Sequence, residues 1–399
     1  MSIKLSRQLK QMAIHKIKDL ISYVKSMQLE TVKTPSLILD FARMKRNAER
    51  MTTRAKKLKV ALRPHVKTHK CVEIARLQTE DNAGGIMVST LAEARYFLKN
   101  GFTDMTYGVP IEAGKFAEAI EIAKNCERFS LLTDDVETVE NLNQAAKMEN
   151  IKLDVFVKID TGYHRCGVEP NAAEACSIPQ KISDSSNLNF AGILTHAGHS
   201  YHARSSEELL KIAQTERDLM KNLAEELREA DLNVPTVSIG STPTMSAIDN
   251  LEGITELRCG NYIFFDAFQA TLGSCRFEDC ALTVLAAVVH RDFERQKIVV
   301  DAGAIALSKD RGAVEFDQNC GYGRVYDLAG NDLNLRVVSL SQEHGEIFAA
   351  DKTVFRSLKV GSRIRILANH SCLNAAQHLH YHVLDGGKIV DRWEINGGW

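Results

Sequence analysis

The sequence has no apolar run approaching the ~20 residues that a bilayer-spanning helix needs. It has no excess of one charge either: fifty lysines and arginines stand against fifty-one aspartates and glutamates, a net charge of -1. The first absence argues against a membrane protein of the helical kind. The second argues against a nucleic-acid-binding surface or an acidic tail. There are no repeats of fixed period and no low-complexity tracts. Nine cysteines are scattered at 71, 126, 166, 176, 259, 275, 280, 320 and 372. The count is odd and the spacing is not that of a disulfide framework, so a reducing compartment, the cytoplasm, is expected. The start, Met1 to Leu29, has neither an apolar signal core nor a small-residue cleavage site. It is basic and helix-prone, with Ile14, Ile17, Ile21 and Val24 on one helical face. This predicts a helical extension over residues 1–32 that packs on the body or on a partner subunit. A mitochondrial transit peptide is the alternative, against which Asp19 and Glu30 interrupt the basic run.

What is present is a chain of 399 residues, 44% hydrophobic and 25% charged. These are globular values, and the length allows two domains or one large barrel with an addition. Strand candidates are Val60–Val66, Gly85–Ser89, Asp104–Val109, Arg128–Thr133, Leu153–Ile159, Phe190–His196, Thr236–Gly240 and Thr255–Phe264. Helical runs lie between them, among them Leu91–Lys99, Ala113–Lys124, Val136–Lys147 and Ser205–Ala230. Eight strands, each followed by a crossover, predict an α/β fold of the (β/α)8 barrel type over 45–272. A doubly wound sheet is the runner-up, and periodicity alone does not separate the two. Past Gly273 the long helices stop. Leu282–His290, Lys297–Asp301, Leu335–Ser341, Ile364–Leu367, His380–Val383 and Lys388–Trp393 predict a mostly antiparallel β domain. Asp385-Gly386-Gly387 predicts a hairpin turn between the last two.

The chemistry is concentrated at predicted strand ends. In Arg63-Pro64-His65-Val66-Lys67-Thr68-His69-Lys70 an apolar run ends and a helix-forming run follows. A lysine at the carboxyl end of a barrel strand stands where such folds carry their chemistry. Kept short of water, its amine is freed for Schiff-base chemistry; an ordinary solvated lysine is the other reading. Arg165, in Lys158-Ile159-Asp160-Thr161-Gly162-Tyr163-His164-Arg165-Cys166-Gly167, is either an anion partner or a loop ion pair. His196 and Tyr201 follow the sixth strand in a polar, aromatic loop. Gly240, Ser241 and Thr242 follow the seventh, and Gly260 and Asn261 lie in the eighth. Glycines admit backbone N–H groups to an anion, hydroxyls add donors, and barrels often bind phosphate between the last two loops. In the second domain, Asn369-His370-Ser371-Cys372 read as a strand would place His370 and Cys372 on one face. Nitrogen and sulfur suit zinc, with positions left for water or substrate; a buried thiol beside a hydrogen-bonded histidine is the alternative. His378, His380 and His382 alternate on the next strand and are read as structural or peripheral.

Pro64-His65-Val66-Lys67-Thr68-His69-Lys70, the pattern Lys158-x-Asp160-x-Gly162-x-x-Arg165-x-Gly167 and His370-x-Cys372 together resemble the D-serine dehydratase and D-threonine aldolase group of alanine-racemase-like (fold type III) pyridoxal-phosphate enzymes. The eukaryotic-type D-serine dehydratases are the nearest pattern within it. The resemblance runs from about Thr34 to Trp399. It implies a barrel with a β domain formed by 33–44 together with 273–399. It implies pyridoxal phosphate on Lys67, with Arg165 near the cofactor's phenolate oxygen, His196 stacked on its ring and Tyr201 in contact. Gly240, Ser241, Thr242, Gly260 and Asn261 are then the phosphate site. Arg258 occupies the place of an arginine that faces the pyridine nitrogen in related racemases. Gln342-Glu343-His344-Gly345 resembles a wall of the site, not a ligand set. The implied activity is that of a lyase: zinc at His370 and Cys372, a small D-3-hydroxyamino acid as substrate, and D-serine converted to pyruvate and ammonia in a homodimer. D-Threonine aldolase, D-threo-3-hydroxyaspartate dehydratase and a non-catalytic cofactor carrier are the alternatives.

Overall fold

A computed structural model describes residues 28–81 and 84–398. The helical face expected around Ile14 to Val24 lies outside the described residues. The chain divides into two compact units. One spans Lys45–Phe265 with Gln269–Phe277 and Asn396–Trp399; the other takes the chain up to Met44, Asp266–Phe268 and Glu278–Ile395.

β1 (Ser36–Asp40) belongs to the second of these units; the eight strands of the first are β2 (Ala61–Leu62), β3 (Ile86–Val88), β4 (Asp104–Tyr107), β5 (Arg128–Thr133), β6 (Leu153–Lys158), β7 (Leu188–Leu194), β8 (Thr236–Ile239) and β9 (Glu256–Leu257). All their pairings are parallel, in the order β2-β9-β8-β7-β6-β5-β4-β3. Closure between β2 and β3 rests on one bridge, His65 with Met87, where the Met87 N–H donates to the Pro64 carbonyl at 2.9 Å. Strands such as Ile86–Val88 are buried along their whole length, as a parallel sheet covered on both faces requires. Helix starts follow their caps. Thr90, Asp135 and Ser205 each accept the backbone N–H three residues on, opening helices Leu91–Lys99, Val136–Met148 and Ser206–Glu229. The helix Glu174–Asp184 carries Pro179 inside it, which hides its periodicity in the sequence.

One expected strand is mostly something else. Of Thr255–Phe264 only Glu256–Leu257 pairs, and Asn261–Ile263 is a 3-10 turn. Gly260 explains the change. A Cβ there would stand 2.7 Å from the His65 carbonyl oxygen and 2.8 Å from Thr68 Oγ1, so the chain turns inward against the Lys67 segment.

The other unit holds β1 together with β10 (Leu282–Asp292), β11 (Lys297–Val300), β12 (Gly323–Tyr326), β13 (Asp332–Leu340), β14 (Gly345–Phe348), β15 (Arg363–Ala368), β16 (His380–Asp385) and β17 (Lys388–Glu394). The long β10 pairs with both β15 and β11, which closes β10, β15, β12, β13, β14 and β11 into an antiparallel barrel. β1 attaches to it antiparallel along β10 and parallel along β16. The β16–β17 hairpin closes on the Asp385–Lys388 pair. Gly386 and Gly387 between them both have positive φ, 54° and 79°, as a type I′ turn demands. Leu29, Val32, Ile38, Leu285, Leu384 and Ile389 form one of its apolar clusters.

Candidate active site

The expected residues of the barrel unit lie just beyond the carboxyl ends of its strands. Lys67 sits in the 3-10 turn Val66–Thr68 after β2. Its side chain is exposed, so the expectation of a lysine held away from water does not describe it in this structure. The neighbours are drier. His65 is held neutral by burial and then by the positive charges of Lys67 and Arg258, which push its pKa well below the ordinary value. His65 Nε2 meets Ser89 Oγ at 3.3 Å, and His65 Nδ1 is buried with no hydrogen-bond partner.

His196, after β7, donates from Nδ1 to the Gly240 carbonyl at 3.2 Å. Burial, Lys158 and Lys67 lower its pKa well below the usual value. It is therefore a neutral imidazole with Nε2 as the acceptor. Tyr163 packs edge-on to His196, ring centroids 6.2 Å apart, and the Arg165 guanidinium lies 4.9 Å from the Tyr163 ring centre. Gly198 is small for this reason: a Cβ there would stand 2.4 Å from Tyr163 Cε1. Tyr201 is half-buried in the turn Gly198–His202.

The expected phosphate loop is tightly built. Gly240 has φ 124°. Ser241 Oγ accepts the Thr244 N–H at 3.3 Å and meets Ser200 Oγ at 2.9 Å. Thr242 Oγ1 accepts the Tyr262 N–H at 3.1 Å, which leaves its own proton to donate. Asn261 is buried in the 3-10 turn that Gly260 opens.

One group escaped the sequence reading, and two that it named, Lys158 and Arg258, have partners it did not give. Glu216, fully buried on the helix Ser206–Glu229, accepts the N–H of Ala197 at 3.0 Å and of Gly240 at 3.2 Å. One carboxylate thus ties the loop after β7 to the loop after β8. Burial raises its pKa against those two bonds and against Arg258. Lys158, the last residue of β6, is drawn down to about 7 by burial and by the Arg258 charge. Arg258 is itself lowered to about 10 by burial. It donates to Ser238 Oγ at 2.7 Å and to the Thr195 carbonyl. No local pattern singles out Glu216; only the folded helix aims it between the two loops.

In the β unit, β15 ends at Ala368. His370 is the N-cap of a short helix, Ser371–Ala375. The expected strand geometry for His370 and Cys372 is therefore wrong, because the Ser371 N–H and Oγ are drawn to the Asp266 carboxylate at 2.9 and 3.2 Å and open a helical turn. The two side chains still meet: His370 hydrogen-bonds the Cys372 side chain. His370 Nδ1 contacts Asp310 Oδ2 at 2.7 Å. Burial opposes the charged imidazolium, but Asp310 and Cys372 outweigh it and raise the pKa of His370 well above the ordinary value. Among the described residues no group of three His, Cys, Asp or Glu forms a cage for a metal ion. His378 bonds the Ala306 carbonyl at 3.0 Å, while His380 and His382 pair across to Glu394 and Arg392. Gln342, Glu343 and His344 form an exposed loop between β13 and β14.

Residues 39–267 match the family described as alanine racemase, N-terminal domain, and residues 281–384 match the putative serine dehydratase domain. A D-threo-3-hydroxyaspartate dehydratase from Delftia sp. (strain HT23) is 37% identical over 376 residues, covering 93% of this chain and 99% of that protein. A D-serine dehydratase from Dictyostelium discoideum is 35% identical over 393 residues, covering 93% and 98%. A solved D-threo-3-hydroxyaspartate dehydratase, a cysteine-to-alanine mutant in the metal-free form, superposes with a TM-score of 0.90 at 37% identity, covering 93% of this chain and 100% of that one.

The chain belongs to the D-serine dehydratase family of alanine-racemase-fold enzymes. As a member of this family it is a lyase of the pyridoxal-phosphate type that acts on D-hydroxyamino acids. The barrel residues fit that cofactor. The positive charges of Lys67, Lys158 and Arg258 converge on a neutral His196, an environment that an anionic phosphate and a substrate carboxylate would balance. In the β unit, His370 and Cys372 supply nitrogen and sulfur, and Asp310 occupies the far ring nitrogen. That donor set fits a divalent metal with open positions, although it supplies only two protein ligands.

Proposed function

We propose that the protein is a pyridoxal-phosphate and zinc-dependent D-serine dehydratase, releasing pyruvate and ammonia by β-elimination of the hydroxyl. The observation that carries the metal part is the contact of His370 with both Asp310 and Cys372. The metal-free form recorded for a cysteine-to-alanine mutant of a solved D-threo-3-hydroxyaspartate dehydratase supports it. When bound, the cofactor spreads the charge left at the substrate α-carbon over its ring, and the metal offsets the charge departing with the β-oxygen.

The chain's own residues do the rest. Lys67 would anchor the cofactor, and its amine, once freed, would take the substrate α-proton. His196, neutral and fixed by the Gly240 carbonyl, would support the cofactor ring. Arg165, steadied by Tyr163, would offset charge on the cofactor's phenolate oxygen, and Tyr201 would add a contact. Gly240, Ser241, Thr242, Gly260 and Asn261 hold the phosphate with uncharged donors. His370 and Cys372 hold the metal. We further propose a homodimer, as the family resemblance implies, and a place in the cytoplasm, which the nine free cysteines support.

A second reading is supported by the 37% identity to the Delftia enzyme: the preferred substrate is D-threo-3-hydroxyaspartate, whose second carboxylate calls for one more cationic contact. A substrate panel with metal content measured on the same sample decides. Pyruvate from D-serine supports the first reading. Faster turnover of D-threo-3-hydroxyaspartate supports the second. Glycine and acetaldehyde from D-threonine would overturn both in favour of an aldolase.

A further inference from the structure

The contact between Asp310 and His370 is made by a segment built to hold one carboxylate in one place. Asp310 lies sixty residues before His370 in the chain. Its backbone N–H donates to Ser308 Oγ at 3.1 Å. Its carbonyl accepts from Asn369 Nδ2 at 3.1 Å, and that same amide donates to the Gly321 carbonyl at 2.9 Å. Its carboxylate accepts the Gly312 N–H as well as the His370 ring. Ser308 adopts φ 66°, a backbone conformation that a non-glycine residue adopts only when its surroundings hold it there. The neighbour of the histidine, Asn369, is thus bound to the same short turn as the histidine itself.

The chemistry of imidazole gives this arrangement a purpose. A neutral histidine ligates through one ring nitrogen, and the proton on the other decides which. A carboxylate on Nδ1 holds the proton there and turns Nε2 outward as the ligating lone pair. It also raises the basicity of that nitrogen. Since the His370 ring also hydrogen-bonds the Cys372 side chain, nitrogen and sulfur are close enough to share one ion.

We propose that Asp310 is the positioning residue of the metal centre, fixing His370 in the Nδ1–H tautomer so that Nε2 and Cys372 Sγ ligate one divalent ion. The inference rests on the metal-binding reading of His370 and Cys372. Its test is zinc affinity, measured by chelator competition on the full-length, cofactor-loaded protein. Wild type, Asp310→Asn, Asp310→Ala and Cys372→Ala are compared, with thermal unfolding and the visible cofactor band as controls. Asp310→Ala should weaken zinc binding about 10- to 100-fold, leaving the cofactor band unchanged. Asp310→Asn keeps an acceptor oxygen for Nδ1–H and should recover part of the loss. Loaded with cobalt, Asp310→Ala should keep the thiolate charge-transfer band that Cys372→Ala loses. Zinc affinity within twofold of wild type in Asp310→Ala and Asp310→Asn, with wild type binding one equivalent, would overturn the role of Asp310 alone. A wild-type protein that binds no zinc at this pair would overturn the metal reading and the inference with it. Should Asp310→Ala fail to fold, Asp310→Asn carries the comparison.

Discussion

Gly260→Ala is a small change with a calculable consequence. The added methyl carbon would lie 2.7 Å from the His65 carbonyl oxygen, 2.8 Å from Thr68 Oγ1 and 3.1 Å from His65 Cβ. Two of these three atoms cannot swing away, since they belong to the backbone and Cβ of the residue that closes the barrel against Met87. The backbone at 260 has φ −126°, outside the left-handed region that demands glycine, so the cost is worked from the contacts. Overpacking of this kind costs about 1–3 kcal/mol. The relief available is a shift of the Val66–Thr68 turn, which carries Lys67. If restoring the turn for the cofactor reverses that shift, the cost falls on cofactor affinity, a loss of about 5- to 150-fold at roughly 1.4 kcal/mol per tenfold. The assay is titration of the apoprotein with pyridoxal phosphate, followed by its visible absorbance and by borohydride trapping, beside thermal unfolding of the apoprotein. Turnover at saturating cofactor should change less than affinity. Affinity within twofold of wild type would refute the argument that Gly260 is small in order to let the Lys67 turn sit.

Other outcomes follow from the same geometry. Lys67→Ala should abolish borohydride-trappable cofactor and activity while leaving the unfolding temperature near wild type; trapping at the same site in the variant would move the anchor elsewhere. Removing metal with a chelator should leave the cofactor bound and stop pyruvate formation, while the α-hydrogen of D-serine still exchanges with solvent deuterium. Full pyruvate yield in a sample shown metal-free by elemental analysis would return His370 and Cys372 to a structural role. Glu216→Leu should strip the acceptor from two buried N–H groups, each costing about 1–3 kcal/mol when left unpaired, and weaken cofactor binding; Glu216→Gln keeps an acceptor oxygen and should rescue most of it, and equal losses in both variants would count against the clamp. His69 is buried, with its pKa drawn down to about 3 by desolvation against bonds to Gln78 and Cys71. Between pH ~6.5 and that value the unfolded chain takes up a proton that the folded chain refuses, so stability is full above pH ~6.5 and falls by about 1.4 kcal/mol per pH unit below it. His69→Asn should therefore flatten the decline of unfolding temperature between pH 6.5 and 5, and an unchanged slope would refute this.

What was legible in the sequence is what short-range physics controls. Capping residues and helical spacing marked Leu91–Lys99 and Val136–Met148, while strand alternation and a Gly-Gly turn marked the β16–β17 hairpin. Strand ends followed by glycines and polar residues marked Lys67, Arg165, His196 and the Gly240 loop, because a barrel delivers its chemistry at those ends and the residue types needed there are distinctive. Two or three residues leave the choice between strand and turn to their surroundings. Asn261 and His370 were therefore placed on strands, but Gly260 packed against His65 bends one segment and Asp266 pulling on Ser371 coils the other. Tertiary structure alone brought Asp310 to His370, set Glu216 between the loops at Ala197 and Gly240, and crowded Lys158 and Arg258 until burial shifted both. Asp310 and Glu216 are ordinary charged residues in the sequence, and the motif that holds Lys158 and the position of Arg258 say nothing of their burial. Their pKa values and partners come from desolvation and from contacts across tens of residues, which no local pattern encodes.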